Sequence, residues 1–160
     1  MGNTMKQRLL SGLAATVATV SLGAGLAIAG PAGSAQAAAS DCEGGRNGFV
    51  DISDDASGTV VRSIDMGAGR SVTLHYGTIR GVQRGWAKIS GTTVNNDLVW
   101  MDWTTDGGST WLQCGPFAVN RGPGTSKTSA AKSTSSNSNY RFRACGYLKN
   151  AGQTKCTSWW

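Results

Sequence analysis

Leu98-Val99-Trp100-Met101-Asp102-Trp103 is the stretch on which the fold of this chain turns. Side chains of an extended strand point alternately to opposite faces, so Val99, Met101 and Trp103 fall on one side and Trp100 and Asp102 on the other. The first face is apolar and belongs in a core. The second sets an indole beside a carboxylate. The same period of two recurs on both sides of this segment. Phe49–Ile52, Thr59–Ile64, Ser71–Tyr76 and Trp86–Ile89 are strand candidates parted by Asp/Ser/Gly turns. Residues 111–114 and 117–119 flank Gly115-Pro116, where proline argues for an edge strand or a break. Tyr140–Ala144 puts Tyr140, Phe142 and Ala144 on one face and Arg141 and Arg143 on the other. No window of about 11 residues beyond the N-terminal segment repeats apolar residues at helical spacing. Seven or eight short strands at turn-rich spacing predict an all-β fold, a small disulfide-stabilised β-sandwich or barrel.

The N-terminus reads as a targeting segment. Lys6 and Arg8 precede Leu9–Ala29, a run of Leu, Ala, Val, Ile and Gly with no charge, and small residues at 35–39 offer cleavage after Ala37 or Ala39. The expected organisation is a secretory signal peptide over 1–39 and one secreted domain over 40–160. A retained membrane anchor is the alternative, but the run is weakly hydrophobic and Pro31, Gly33 and Ser34 follow it instead of basic residues. The mature protein is expected to be extracellular, with no stable membrane insertion, and monomeric. About 120 residues make one domain and exclude an alternating α/β barrel, a two-domain nucleotide-binding enzyme or a propeller.

Cysteine usage agrees with export. Cys42, Cys114, Cys145 and Cys156 all lie beyond the cleavage point, and an even count reads as two disulfides. Three pairings exist. Cys42–Cys114 with Cys145–Cys156 is favoured, because the second closes a short Gly-containing segment and the first ties the mature N-terminus into the domain. No C-x-x-C spacing is present, so neither a zinc site nor a thioredoxin-like motif is expected. No metal and no cofactor is expected. His75 is the sole histidine, which leaves a His-dependent metal site or a Ser-His-Asp arrangement without partners.

Charge is distributed unevenly. Residues 40–110 hold nine acids and six bases, whereas 111–160 hold seven bases and no acid. This imbalance favours an anionic partner. Residues 120–139 contain no aromatic and no large aliphatic residue. They form either a polar edge strand at Ser126–Lys132, guarded by Lys127 and Lys132, or a mobile basic loop used in binding.

Thr104-Thr105-Asp106-Gly107-Gly108-Ser109-Thr110-Trp111 resembles the Asp-box of sialidases and other secreted β proteins. The resemblance implies a hairpin turn in which Asp106 accepts backbone hydrogen bonds, Gly108 takes angles that a side chain resists, Thr110 completes the turn and Trp111 returns to the core. One copy implies no sialidase activity, and Asp106 reads as structural. A wider resemblance rests on Val72–Tyr76, Gly85–Ile89, Val99–Asp102, Arg143-Ala144-Cys145-Gly146 and Cys156-Thr157-Ser158-Trp159. These segments are similar to a small domain of secreted actinobacterial proteins, some members of which accompany glycoside hydrolases. That likeness implies export, β structure and the Cys145–Cys156 pairing, and it carries over no catalytic residue.

The binding candidates are Trp100, Asp102, Arg141 and Arg143, with Lys127 and Lys132 in the polar segment. An exposed indole stacks on the apolar face of a sugar, a neighbouring carboxylate accepts its hydroxyls, and guanidinium groups suit acidic substituents. The expected function is a secreted, non-catalytic module that binds carbohydrate or an anionic cell-wall polymer. The alternatives are an inhibitor of extracellular hydrolases and a small antimicrobial protein or enzyme. Nucleic acid is not an expected partner, since the chain reads as exported and carries no recognised binding motif.

Overall fold

The computed structural model describes residues 38–160. The expected targeting segment lies outside the described residues except for Ala38 and Ala39, and Ala39 packs against the core. Ten strands follow in chain order among the described residues: β1 (Phe49–Val50), β2 (Thr59–Gly67), β3 (Arg70–Ile79), β4 (Val82–Gly91), β5 (Leu98–Thr104), β6 (Leu112–Ala118), β7 (Lys127–Thr128), β8 (Ala131–Ser133), β9 (Arg141–Leu148) and β10 (Gln153–Cys156). They make two sheets. The first runs β1-β8-β4-β3-β2 with β7 also on β4, and the second runs β10-β9-β5-β6. Neither closes into a barrel.

Alternation builds the core as the sequence predicts. Val72, Leu74, Ala87 and Ile89 of the first sheet meet Val99, Met101, Phe142 and Ala144 of the second, all buried. Arg70 and Asp97 link the two sheets at 3.3 Å, with the Asp97 side chain fully buried. Strands β3 and β4 are longer than Ser71–Tyr76 and Trp86–Ile89, because Arg80 and Gly81 both take positive φ (51° and 77°) and close a two-residue hairpin at Ile79 and Val82. Residues 111–114 and 117–119 are one strand, β6, running through Gly115-Pro116. It lies at the sheet edge, where the missing proline N–H costs no ladder bond. Cys42 is joined to Cys114 and Cys145 to Cys156, the latter across directly paired residues of β9 and β10.

Within residues 120–139, β8 is not an edge and 128–132 are buried, whereas 135–139 form an exposed connection to β9. Strand β8 is inserted between β1 and β4, and Thr128, Ser129, Ala130, Ala131 and Lys132 are all buried. Small size is what permits this: Ala130 joins the core cluster, while Ser129 N–H donates to the Ala87 carbonyl and Ser129 Oγ accepts from Ala87 N–H. Lys132 therefore does not guard an edge, whereas Lys127 lies in β7, which pairs only with β4 among the described residues. Lys127 Nζ binds Asp54 at 3.2 Å. Lys132 Nζ lies over the rings of Phe49 and Trp103, 5.2 and 4.3 Å from their centroids, and donates to the Asn47 carbonyl. The sequence offered no acid for Lys132. Aromatic faces supply its counter-potential instead.

The outer face of the first sheet carries a second buried group. Trp86 is fully buried there, stacked on His75 at 5.6 Å, with Gly58 against its ring edge. His75 Nδ1 donates to the Gly58 carbonyl at 3.4 Å, and Nε2 lies 2.8 Å from Thr73 Oγ1, whose hydroxyl donates to the Lys88 carbonyl at 3.3 Å. Burial lowers its pKa from the usual value of 6.5, the Gly58 carbonyl opposes that, and the Lys88 ammonium adds to it. In the unfolded chain the ring takes up a proton near its ordinary value, so the unfolded state binds more protons as pH falls below 6.5. Stability is then complete above that value and declines below it. His75→Gln should remove this part of the decline, visible as a smaller loss of thermal midpoint between neutral and mildly acidic pH than in the unaltered protein.

Candidate functional site on the outer face of the second sheet

The strands β5 and β9 set four residue pairs across the sheet: Leu98 with Tyr147, Trp100 with Cys145, Asp102 with Arg143, and Thr104 with Arg141. Period two carries Trp100 and Asp102 to the face opposite Val99 and Met101, as the sequence predicts. Their exposures differ. Trp100 is half-buried, whereas Asp102 is 2% exposed. Asp102 Oδ2 accepts from Arg143 Nε at 2.7 Å and stands 3.7 Å from Cys145 Sγ, while Oδ1 has no hydrogen-bond partner among the described residues. Burial pushes the Asp102 pKa up. The Arg143 guanidinium and, more weakly, the Trp100 indole pull it back.

Arg143 is clamped. Its guanidinium carbon lies 4.7 Å from the Trp111 ring centroid and 4.6 Å from that of Trp159, and the two indoles meet edge to face at 6.3 Å. Trp111 thus does not return to the core. Leu112 takes the inward position at the start of β6, and the preceding Trp111 faces outward at 38% exposure. The turn before it holds the clamp in place. Thr104 Oγ1 accepts the N–H groups of Asp106 and Gly108 at 3.2 and 3.1 Å and donates to Asp106 Oδ1 at 2.7 Å. Asp106 in turn accepts Thr110 N–H at 2.9 Å and Thr110 Oγ1 at 2.6 Å. These donors hold the Asp106 carboxyl well below the usual carboxylate range. Gly108 adopts φ of 105°, and a Cβ at that position would stand 3.0 Å from Trp159 Nε1, so glycine lets the indole close on the turn.

Beside this clamp a shallow groove of about 360 Å³ is lined by Leu98, Trp100, Gln113, Pro116, Tyr147 and Thr154. Gly115 makes room for Trp100 on the neighbouring strand, since a Cβ there would lie 2.7 Å from Trp100 Cβ. Trp100 and Tyr147 are diagonal neighbours on one face, and Gln113 and Thr154 add polar rims to an aromatic floor. Tyr147 and Trp159 were missed by the sequence reading. The alternation Arg143, Cys145, Tyr147 carries the signal for the first, but Gly146 ends the apolar run before it.

Of the predicted residues, Trp100, Asp102 and Arg143 come together and Arg141 stands apart. Arg141 lies four strand positions from the Trp100 pair, about 14 Å at the usual strand rise. Its Nε donates to the Ser138 carbonyl at 2.7 Å, beside a separate cavity that includes Tyr140 and Trp160. The charge imbalance also has an internal destination. Asp54 pairs with Lys127 and Arg121, and Asp102 with Arg143, so acids of the first half meet bases of the second. Asp102, Cys145 and Cys156 converge within 4.8 Å, but both sulfurs are in a disulfide and offer no thiolate to a metal. No protein-family model, curated protein or solved structure matches this chain.

The hydrogen bonds of Asp106 make it part of the scaffold of this face. Asp106→Ala should lower the thermal midpoint by a few degrees and weaken the near-ultraviolet circular dichroism of the Trp111–Trp159 pair, while the far-ultraviolet β signal is retained. An unchanged aromatic signal would show that the turn does not position the clamp.

Proposed function

We propose that this protein is a secreted, non-catalytic module that binds an extracellular glycan, with the groove around Trp100 and Tyr147 as its binding surface. The observation that carries the reading is Trp100 itself. It stands on the outer face of the second sheet, half-buried at the base and open above, in a groove whose other walls are Tyr147, Leu98 and Pro116 and whose rims are Gln113 and Thr154. A ring held in this way presents an apolar plane to the C–H face of a sugar, and amide and hydroxyl groups beside it exchange hydrogen bonds with sugar hydroxyls. The residues around it argue against catalysis as the use of this face. Asp102 is the carboxylate nearest Trp100 along β5, and it is covered and bound to Arg143, without a second carboxylate paired to it across the sheet.

Export rests on the basic-then-apolar N-terminal segment and on four cysteines paired into two disulfides. No helix among the described residues is long and apolar enough to cross a membrane. The likeness to a domain that accompanies glycoside hydrolases in secreted actinobacterial proteins points to the same class of ligand. An inhibitor would present an accessible loop to its target. Of residues 120–139, 128–132 are buried in the first sheet and 135–139 are exposed, but the flanking Cys114 and Cys145 do not pair with each other to pin that exposed stretch.

Retention on insoluble cellulose, chitin and purified cell wall tests the reading. Trp100→Ala and Tyr147→Ala should each weaken retention by about tenfold, the equivalent of one lost stacking contact of roughly 1 to 2 kcal/mol, with the thermal midpoint held within a few degrees. If Trp100→Ala lowers the midpoint strongly and folded molecules are retained as before, Trp100 is a packing residue and the groove is not the site.

A further inference from the structure

We infer that the same face recognises a glycan carrying an oxyanion, and that the free edge of the Arg143 guanidinium is the group that binds it. The inference rests on the glycan-binding reading above and adds to it the charge class of the ligand and a second point of attachment.

The geometry of Arg143 carries the argument. Its protein hydrogen bond is the one from Nε to Asp102, and the side chain keeps 24% of its surface. Its two Nη groups make no hydrogen bond to the protein, yet they are not among the buried polar atoms left without a partner. They therefore face solvent. Trp111 and Trp159 pack on adjacent sides of the guanidinium, their ring centroids 6.3 Å apart, and leave the Nη edge as the part of the group that a ligand can meet with hydrogen bonds. That edge consists of donors alone and presents two parallel N–H groups, the fork that binds a carboxylate or phosphate oxygen pair.

The fork is also held in position before a ligand arrives. Asp102 binds Nε and two indoles pack against the guanidinium, so little rotamer freedom remains to be lost on binding. Structure alone would not ask for this arrangement to remain open. A guanidinium needed only to neutralise Asp102 would be satisfied by turning both Nε and Nη to the carboxylate, whereas here Asp102 Oδ1 is left without a partner and neither Nη bonds to it.

Position on the sheet completes the case. Arg143 pairs with Asp102, and Trp100 lies two residues along β5, so Trp100 and Arg143 are diagonal neighbours about 7 to 8 Å apart at the backbone. A sugar stacked on Trp100 places its substituents within reach of the Nη edge. The recognised ligand is thus a glycan with an oxyanion close to the stacked sugar. A carboxylate and a phosphodiester share the chemistry this fork accepts, and the experiment separates them.

The test uses the full-length secreted protein with cellulose and chitin, the C6-carboxylated form of each, and a glycerol-phosphate polymer, read as retention across a salt series. A side-chain arginine nitrogen–proton spectrum of the unaltered protein, recorded with soluble C6-carboxylated oligosaccharide, reports on Arg143 without any substitution. The carboxylated or phosphate polymer should bind about tenfold more tightly than the neutral ones at low salt, with the difference falling as salt rises. The Arg143 side-chain signals should move. Arg143→Lys, which keeps the charge and loses the fork, should remove most of the preference in molecules that retain the fold. Preference for the phosphate polymer over the carboxylated glycans would support the inference and assign phosphate as the source. Equal retention of neutral and charged polymers, with Arg143 signals unmoved and retention still dependent on Trp100, would overturn it and leave the groove reading standing. Failure of every polymer to bind would overturn both.

Discussion

A buried carboxylate has to be compensated, and in this protein Asp102 is the constraint to which the outer face of the second sheet answers. With 2% exposure and one oxygen on Arg143, its ionised form depends on that single guanidinium. Removing one partner of a buried ion pair costs about 3 to 5 kcal/mol, a sizeable share of the stability of so small a domain. The pair in turn depends on the rings that cover it. Trp111 and Trp159 pack against the guanidinium, and the Thr104–Thr110 turn and the segment beyond β10 hold the two rings in place. The Cys145–Cys156 bridge fastens β10 to β9 just before that segment. Turn, disulfide and C-terminal residues thus converge on one salt bridge.

Much of the fold was legible in the sequence because its information is local. Alternation in Val99–Trp103 and Tyr140–Ala144 assigned inner and outer faces that the structure reproduces. The Cys145–Cys156 pairing, across 11 residues, and the Gly-containing turns were readable for the same reason. What escaped was whatever depended on the sheet as a whole. The β3–β4 hairpin turns on Arg80, a residue that offers no turn signal by type, so two long strands read as two short ones. The 127–133 segment lacked large apolar residues and read as loop or edge. Its burial is set by what neighbouring strands leave vacant, a gap that alanine and serine fill, and composition cannot reveal the size of a gap.

The site shows the same division. Trp100, Asp102 and Arg143 could be proposed because alternation places them on one face. That Asp102 would be covered and Trp100 open was beyond reach, since the two share a strand and a face and differ only in what lies above them. Trp159 packs on Arg143, the partner of Asp102, and nothing in the spacing of the sequence brings it there. Trp111 went astray for a related reason. An aromatic residue after a turn reads as core, but Leu112 occupies the inward position and the indole is left to serve the guanidinium.

The charge imbalance between the two halves of the chain is the clearest case of one sequence feature with two physical meanings. Seven bases after residue 110 read as an attraction to an anionic partner. In the fold, Lys127 goes to Asp54, Arg143 to Asp102 and Lys132 to two aromatic faces, so part of the imbalance is the complement of acids placed earlier in the chain. Folding does not consume these groups equally. Lys132 is enclosed and directs its ammonium to a backbone carbonyl, and Lys127 has one ammonium already engaged by a carboxylate. Arg143 differs because a guanidinium has more donors than one ion pair uses. The property that lets it neutralise Asp102 from one side leaves a fork on the other, and the rings that protect the ion pair also orient that fork. On this face, the structural requirement and the capacity to recognise an anion are two edges of one side chain.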